Sequence, residues 1–231
     1  MDFLKTLIIS IFMLTTLNLP ANADTELWNA VDVRIPLQKE NIWLPSRFDT
    51  FTVSQLAPRF DGGLGILRFS LGPQWDFTPG FSLGLLGDII YVGIPGGKST
   101  QEYRFNIEPV FRGKFMPELK WIDRTRIEYR YFPTRSNWRV RNLLRLNWTG
   151  FSEAWIPYLA NEVFIEYPQG FNQNRSILGV RHVFDRSLQM DMGYMQRWRK
   201  GNDNTWTADH ILMLFLFFAP PDYAKDVHGG E

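Results

Sequence analysis

The sequence predicts an all-β protein: an antiparallel transmembrane β-barrel of about 10–12 strands, exported to a bacterial outer membrane. Three observations lead there. The chain opens with an export signal and has no long apolar helix after it. The remainder alternates with period two in segments of about ten residues, separated by turn residues. One face of these segments is apolar and aromatic, while the other carries both signs of charge and is rich in Arg. Hydrocarbon offers backbone N–H and C=O groups no partner. A chain without spanning helices therefore enters a bilayer only as a closed barrel.

The N-terminal element comes first. Lys5 precedes an apolar run over residues 7–17, interrupted by Ser10, Thr15 and Thr16. Pro20 ends the run, and Ala21-Asn22-Ala23 follows with small residues flanking a polar one. This order predicts a secretory signal peptide over residues 1–23, with Asp24 as the mature N-terminus. The run is well short of the ~20 residues that a membrane anchor needs. The chain has no Cys, which excludes a lipoprotein, a disulfide scaffold and any thiolate metal site.

The strands follow in order. Residues 26–35 set Asp32 and Arg34 between Val31, Val33 and Ile35. Residues 47–57 alternate more weakly and end at Pro58 and Gly62-Gly63. Residues 64–75 place Arg68, Ser70 and Gln74 opposite Leu67, Phe69 and Leu71. A turn at 76–80 leads to a strand at 81–92, and the glycines and proline of 93–97 form a loop. The next three strands, at 102–112, 124–131 and 138–148, alternate most clearly. Four more are expected at 155–167, 174–184, 188–199 and 207–218. Short turns at 150–153 and 185–186 alternate with 93–97, 171–173 and 200–204, so the latter three should share one side of the membrane, the extracellular one. These are about eleven segments. Bacterial barrels favour even numbers, so either a strand near residues 38–45 is missing from the count or one terminal segment stands outside the wall. The barrel domain covers 24–218, and residues 219–231, with Pro220, Pro221, Gly229 and Gly230, read as a flexible tail.

A soluble β-sandwich also alternates, so the faces must decide. Aromatic residues make up 16% of the chain. Tyr103, Phe111, Tyr129, Tyr131, Trp138, Trp148 and Tyr194 lie near strand ends on apolar faces, as an interfacial girdle requires. The charged faces supply the expected lumen. They hold Glu102, Arg104, Glu108 and Arg112, then Arg124, Arg126, Glu128 and Arg130, then Arg139, Arg141 and Arg145. Glu162, Arg175 and Arg181 extend this face over the later strands. Arg outnumbers Lys 18 to 7. An enclosed charged face favours Arg, whose planar fork pairs carboxylates bidentately.

The stretch 158–218 carries a resemblance. Its pieces are Leu159-Ala160-Asn161-Glu162-Val163-Phe164, Phe171-Asn172-Gln173-Asn174-Arg175 leading to Leu178-Gly179, Leu188-Gln189-Met190-Asp191-Met192-Gly193-Tyr194, and His210-Ile211-Leu212. Together with Glu26-Leu27-Trp28 and the Arg-rich centre, the chain resembles an outer-membrane β-barrel family known as domain of unknown function 2490. The resemblance implies a fold and a location, but no reaction. One departure is the last strand. His210 to Phe218 is almost unbroken apolar sequence, with Met213, Phe215 and Phe217 where polar lumen residues are expected.

No catalytic, cofactor or metal residues are assigned. A net charge of +1 gives no nucleic-acid footprint. The expected partners are outer-membrane lipid and, during insertion, the barrel-assembly machinery. The expected role is a structural or small-solute transport barrel with an Arg/Glu-lined lumen. If it conducts, its Arg excess predicts weak anion selectivity. The alternative is an outer-membrane enzyme acting on lipid, for which Ser176 or Ser187, His210 and Asp209 offer a Ser-His-Asp candidate set. Metal-ligand spacing and a phosphate-binding Gly motif do not appear.

Overall fold

The computed structural model describes residues 25–37, 44–56, 64–93, 99–201 and 203–218. The expected signal peptide and C-terminal tail lie outside the described residues. Eleven strands run in chain order: β1 (Thr25–Pro36), β2 (Arg47–Leu56), β3 (Leu64–Thr78), β4 (Phe81–Val92), β5 (Thr100–Met116), β6 (Leu119–Phe132), β7 (Arg135–Trp148), β8 (Trp155–Glu166), β9 (Gly170–Val183), β10 (Leu188–Lys200) and β11 (Trp206–Phe218). Each pairs with its neighbour in sequence, and β1 pairs with β11 to close the barrel.

Every pair is antiparallel except β1–β11, which runs in parallel register from Thr25↔His210 to Val33↔Phe218. This resolves the parity question. Strands that alternate up and down leave the first and last pointing the same way when their number is odd, so the closing ladder must be parallel. Eleven therefore replaces the even number expected from parity, and neither terminal strand stands outside the wall. Residues 38–43 lie outside the described residues.

Two expected loops are strand instead. Residues 171–173 belong to β9, and the turn before them is at residues 167–169. Gly170 begins β9 at φ 77°, a left-handed conformation that glycine adopts without Cβ strain. Likewise β3 continues past Trp75 through Asp76 to Thr78, because Asp76 has an ion-pair partner in Arg47 on β2. The central strands β5, β6 and β7 are longer than their clearest alternation, with two-residue turns between them. Alternation fades at the strand ends, while the ladder continues.

The topology sorts the connections to two rims. One rim carries the β2–β3, β4–β5, β6–β7, β8–β9 and β10–β11 connections. The other carries β1–β2, β3–β4, β5–β6, β7–β8 and β9–β10. We call them upper and lower. The ends of β4 and β10 thus share the upper rim, opposite the turns at 150–153 and 185–186; the loop expected at 93–97 lies almost entirely outside the described residues.

Candidate functional site

Period-two alternation gives each strand an inner and an outer row, and the charged row faces in. In β5, Glu102, Asn106 and Glu108 are buried while Tyr103, Phe105 and Ile107 between them are exposed. In β6, Arg126 and Glu128 are buried beside exposed Ile127 and Tyr129. Exposure falls to 0% at Glu128 and Asn106, 2% at Glu102, 5% at Arg126 and 6% at Arg141. At this level the interior is filled with side chains, and these groups are buried among them.

The filling is an ion-pair lattice. Glu128 meets Arg139 at 2.5 Å, Arg141 at 3.0 Å and Arg104 at 3.8 Å. Arg104 also grips Glu102 with two hydrogen bonds, of 2.5 and 2.8 Å. Arg130 links Glu102 at 2.5 Å to Glu166 at 2.9 Å. Glu162 gathers Arg175 at 3.0 Å, Arg141 at 3.5 Å and Arg124 at 3.8 Å. Glu108 pairs with Arg126 and, at 3.8 Å, with Arg124. Arg181 and Arg145 share Asp191, each at 2.6 Å. The Arg145–Asp191 pair joins β7 to β10 and so crosses the interior. Arg112 donates to Ser82 at 2.9 Å. All fourteen residues expected to line the interior take part in this packing.

Several members were not expected. Asp191 is a hub, yet only its alternation with Met190 and Met192 marks it in the sequence. Glu166 has the same parity as Glu162 and could have been found that way. Asp88, 2.8 Å from Arg68, lies in the glycine-rich β4, where the alternation is hard to read. Near the seam, Arg197 reaches Glu26 and Asp209, both at 2.9 Å, and Arg199 reaches Asp209 at 2.8 Å.

The polar residues expected at 213, 215 and 217 are replaced by a second kind of filling. Met195, Ile211 and Met213 form a buried cluster packed against Trp28, Ile177 and Phe215. Phe51 meets Phe215 edge to face at 6.4 Å. Phe217 serves as a platform for Arg181, whose guanidinium carbon lies 4.8 Å from the ring centroid. Inside a closed wall, apolar side chains facing one another need no polar partner, so β11 tolerates an unbroken apolar run on both faces.

The geometry identifies a barrel and its filling, and the sequence comparison agrees with that. A family model described as Protein of unknown function (DUF2490) matches residues 26–208. The chain belongs to this family. No curated protein and no solved structure matches it. The DUF2490 match runs from β1 through β10 to the first residues of β11.

In this DUF2490 barrel the Ser-His-Asp candidates do not assemble. Asp209 points inward to its arginines. His210 points outward, and its Nδ1 is hydrogen-bonded to the Tyr194 hydroxyl. Ser176 is one strand further away, beside Asn161 at 3.3 Å. Ser187 lies in the β9–β10 turn, where its N–H donates to Asp185 at 2.6 Å. His182 is also on the outer face, tilted against Trp155 at 4.1 Å and edge-on to Phe184 at 4.3 Å. Among the described residues no group of His, Asp and Glu could hold a metal ion. On the upper rim, Thr205 donates both its hydroxyl and its N–H to Asp203, which lowers the Asp203 pKa.

Proposed function

We propose that this chain is an outer-membrane barrel with a closed interior, acting as a structural element of the membrane rather than an open pore. The observation that carries the reading is the inversion of the two faces. Charged side chains fill the interior, while Phe69, Phe105, Ile107, Leu144, Leu159 and Leu178 are exposed outside. Leaving such a surface in water forfeits roughly 25 cal/mol for every Å² of apolar area. Hydrocarbon removes that cost.

Aromatic residues bound this apolar band at both rims. Tyr103, Tyr131, Trp138, Tyr167 and Trp206 stand near the upper rim. Phe77, Phe111, Trp148, Phe151 and Trp155 stand near the lower. Ten residues separate Trp138 from Trp148 on β7. At ~3.3 Å per residue and a tilt near 40°, that is roughly 25 Å along the axis, the height of an outer-membrane apolar band. We read the lower rim, which carries the two-residue turns at 79–80 and 117–118, as the periplasmic one.

The lattice around Glu128 supports a closed state, because an ion would have to displace mutually paired charges. The test is planar-bilayer recording of the refolded protein. The expected result is no resolved steps at moderate voltage. Regular, reproducible steps from the wild type would refute the closed interior. Anion-selective steps would then support the transport reading built on the Arg excess. Among the described residues, Ser176, Ser187, His210 and Asp209 do not come together to support the lipid-enzyme reading.

A further inference from the structure

The outer face is not uniformly apolar, and on β6 to β11 the exceptions line up. On β6 and β7, the Asn142 side-chain amide donates to Asp123 at 2.9 Å and to Thr125 at 3.0 Å. On β8 and β9, Asn161 and Asn174 exchange amide hydrogen bonds of 3.2 and 3.1 Å, and Asn161 donates to Ser176 at 3.3 Å. Asn161 stands opposite Ser176 in register, Ser176 opposite Gln196, and Gln196 opposite His210. His210 is hydrogen-bonded to Tyr194. A line of amides, hydroxyls and imidazole, with the Asp123 carboxylate at its β6 end, thus crosses six consecutive strands. Asn161 lies midway between Trp155 and Tyr167, so the line passes through the centre of the apolar band. On β3, β4 and β5 the matching outer positions are Phe69, Leu71, Leu85, Ile89, Phe105 and Ile107.

Groups like these are costly in hydrocarbon when they lack partners. Most of them are satisfied along the line, but Gln196 has no hydrogen-bond partner among the described residues. Asn, Gln, Ser and His each offer both a donor and an acceptor. A neutral patch of such groups can pair with its own copy under a two-fold rotation, the commonest oligomer symmetry. Polar side chains also hold membrane-embedded segments together.

We propose that the outer face of β8–β11, centred on Asn161, Ser176 and Gln196, docks a second copy of this chain in the membrane. This rests on the membrane reading above. The chain has no Cys, so single cysteines report directly on proximity. Asn161→Cys and Ser176→Cys would be compared with Ile107→Cys and Phe69→Cys, on the apolar arc. The full protein would be cross-linked in isolated outer membranes with a short bis-maleimide. Heat-modifiable gel mobility would verify that each variant folds.

The expected result is a product of twice the chain mass from Asn161→Cys and Ser176→Cys, at least ten-fold above the two controls. Membrane-embedded protein that yields no such product, or yields it equally from all four variants, overturns the dimer and leaves the barrel in place. A product of another mass from the patch variants also overturns it, since the neighbour is then a different protein. Protein that washes off membranes in urea overturns the membrane reading and the dimer together.

Discussion

Glu128→Gln tests the filled interior most directly. The change keeps the shape of the side chain and removes its charge. Glu128 is fully buried and is held by Arg139, Arg141 and Arg104. Two of those arginines have other acids: Arg104 keeps Glu102, and Arg141 keeps Glu162 at 3.5 Å. Arg139 has no second acidic partner among the described residues. The variant therefore strands one nearly buried guanidinium and weakens two more. Breaking a buried pair by removing one partner costs about 3–5 kcal/mol. With a urea slope of about 2 kcal/mol per molar, the unfolding midpoint should fall by roughly 2 M. The assay is equilibrium urea unfolding of the refolded barrel in detergent micelles, followed by tryptophan fluorescence. The double variant Glu128→Gln/Arg139→Gln should recover part of the loss, because the stranded cation leaves with its partner. A midpoint within about 0.2 M of wild type, or a double variant no better than the single, would refute the argument. Either result would mean that water reaches these charges.

Other parts of the structure make further predictions. Replacing Arg126 and Arg141 together by Leu should destabilise the barrel by several kcal/mol, because Glu108 loses its nearest cation and Glu128 and Glu162 each lose one of theirs; a neutral result in the same urea assay would count against an enclosed charged face. Gly179→Ala should cost about 1–3 kcal/mol, since a Cβ there would overlap the Tyr158 ring and come within 2.7 Å of the Met192 carbonyl oxygen; Tyr158→Leu should partly rescue it in thermal unfolding. Ile107→Arg and Leu144→Arg each place a cation on the apolar outer band and should cost roughly 2–4 kcal/mol, measured by refolding into lipid vesicles. A protease site inserted after Gly201, on the upper rim, should be cut on intact cells, whereas one after Asp185 should be protected; the opposite pattern would invert the orientation.

Much of the interior was legible because a strand has a period of two and a barrel has only two sides. Once Tyr103, Phe105 and Ile107 are taken as one face, Glu102, Arg104 and Glu108 have nowhere else to go. The same reasoning extends to Asp191, which alternates with Met190 and Met192. It fails for Asp88, because the glycines of β4 have no side chains to mark a face. It fails again for Met213, Phe215 and Phe217. Hydrophobicity there marks both faces alike, and only the neighbouring Met195, Trp28 and Phe51 explain why the inner one needs no charge.

The sequence by itself determined the strand pattern, the charged inner row and the aromatic outer rows, because these follow from local alternation along each strand. The tertiary structure alone decided how the ends of the sheet meet. Parity made eleven strands look like a miscount, but the ladder between β1 and β11 closes in parallel. Which arginine holds which acid is also a matter of closure. Arg145 and Asp191 lie on β7 and β10, and Arg197 and Glu26 lie on β10 and β1. Neither partnership exists until the wall curves round, because curvature turns the residues of distant strands inward to face one another.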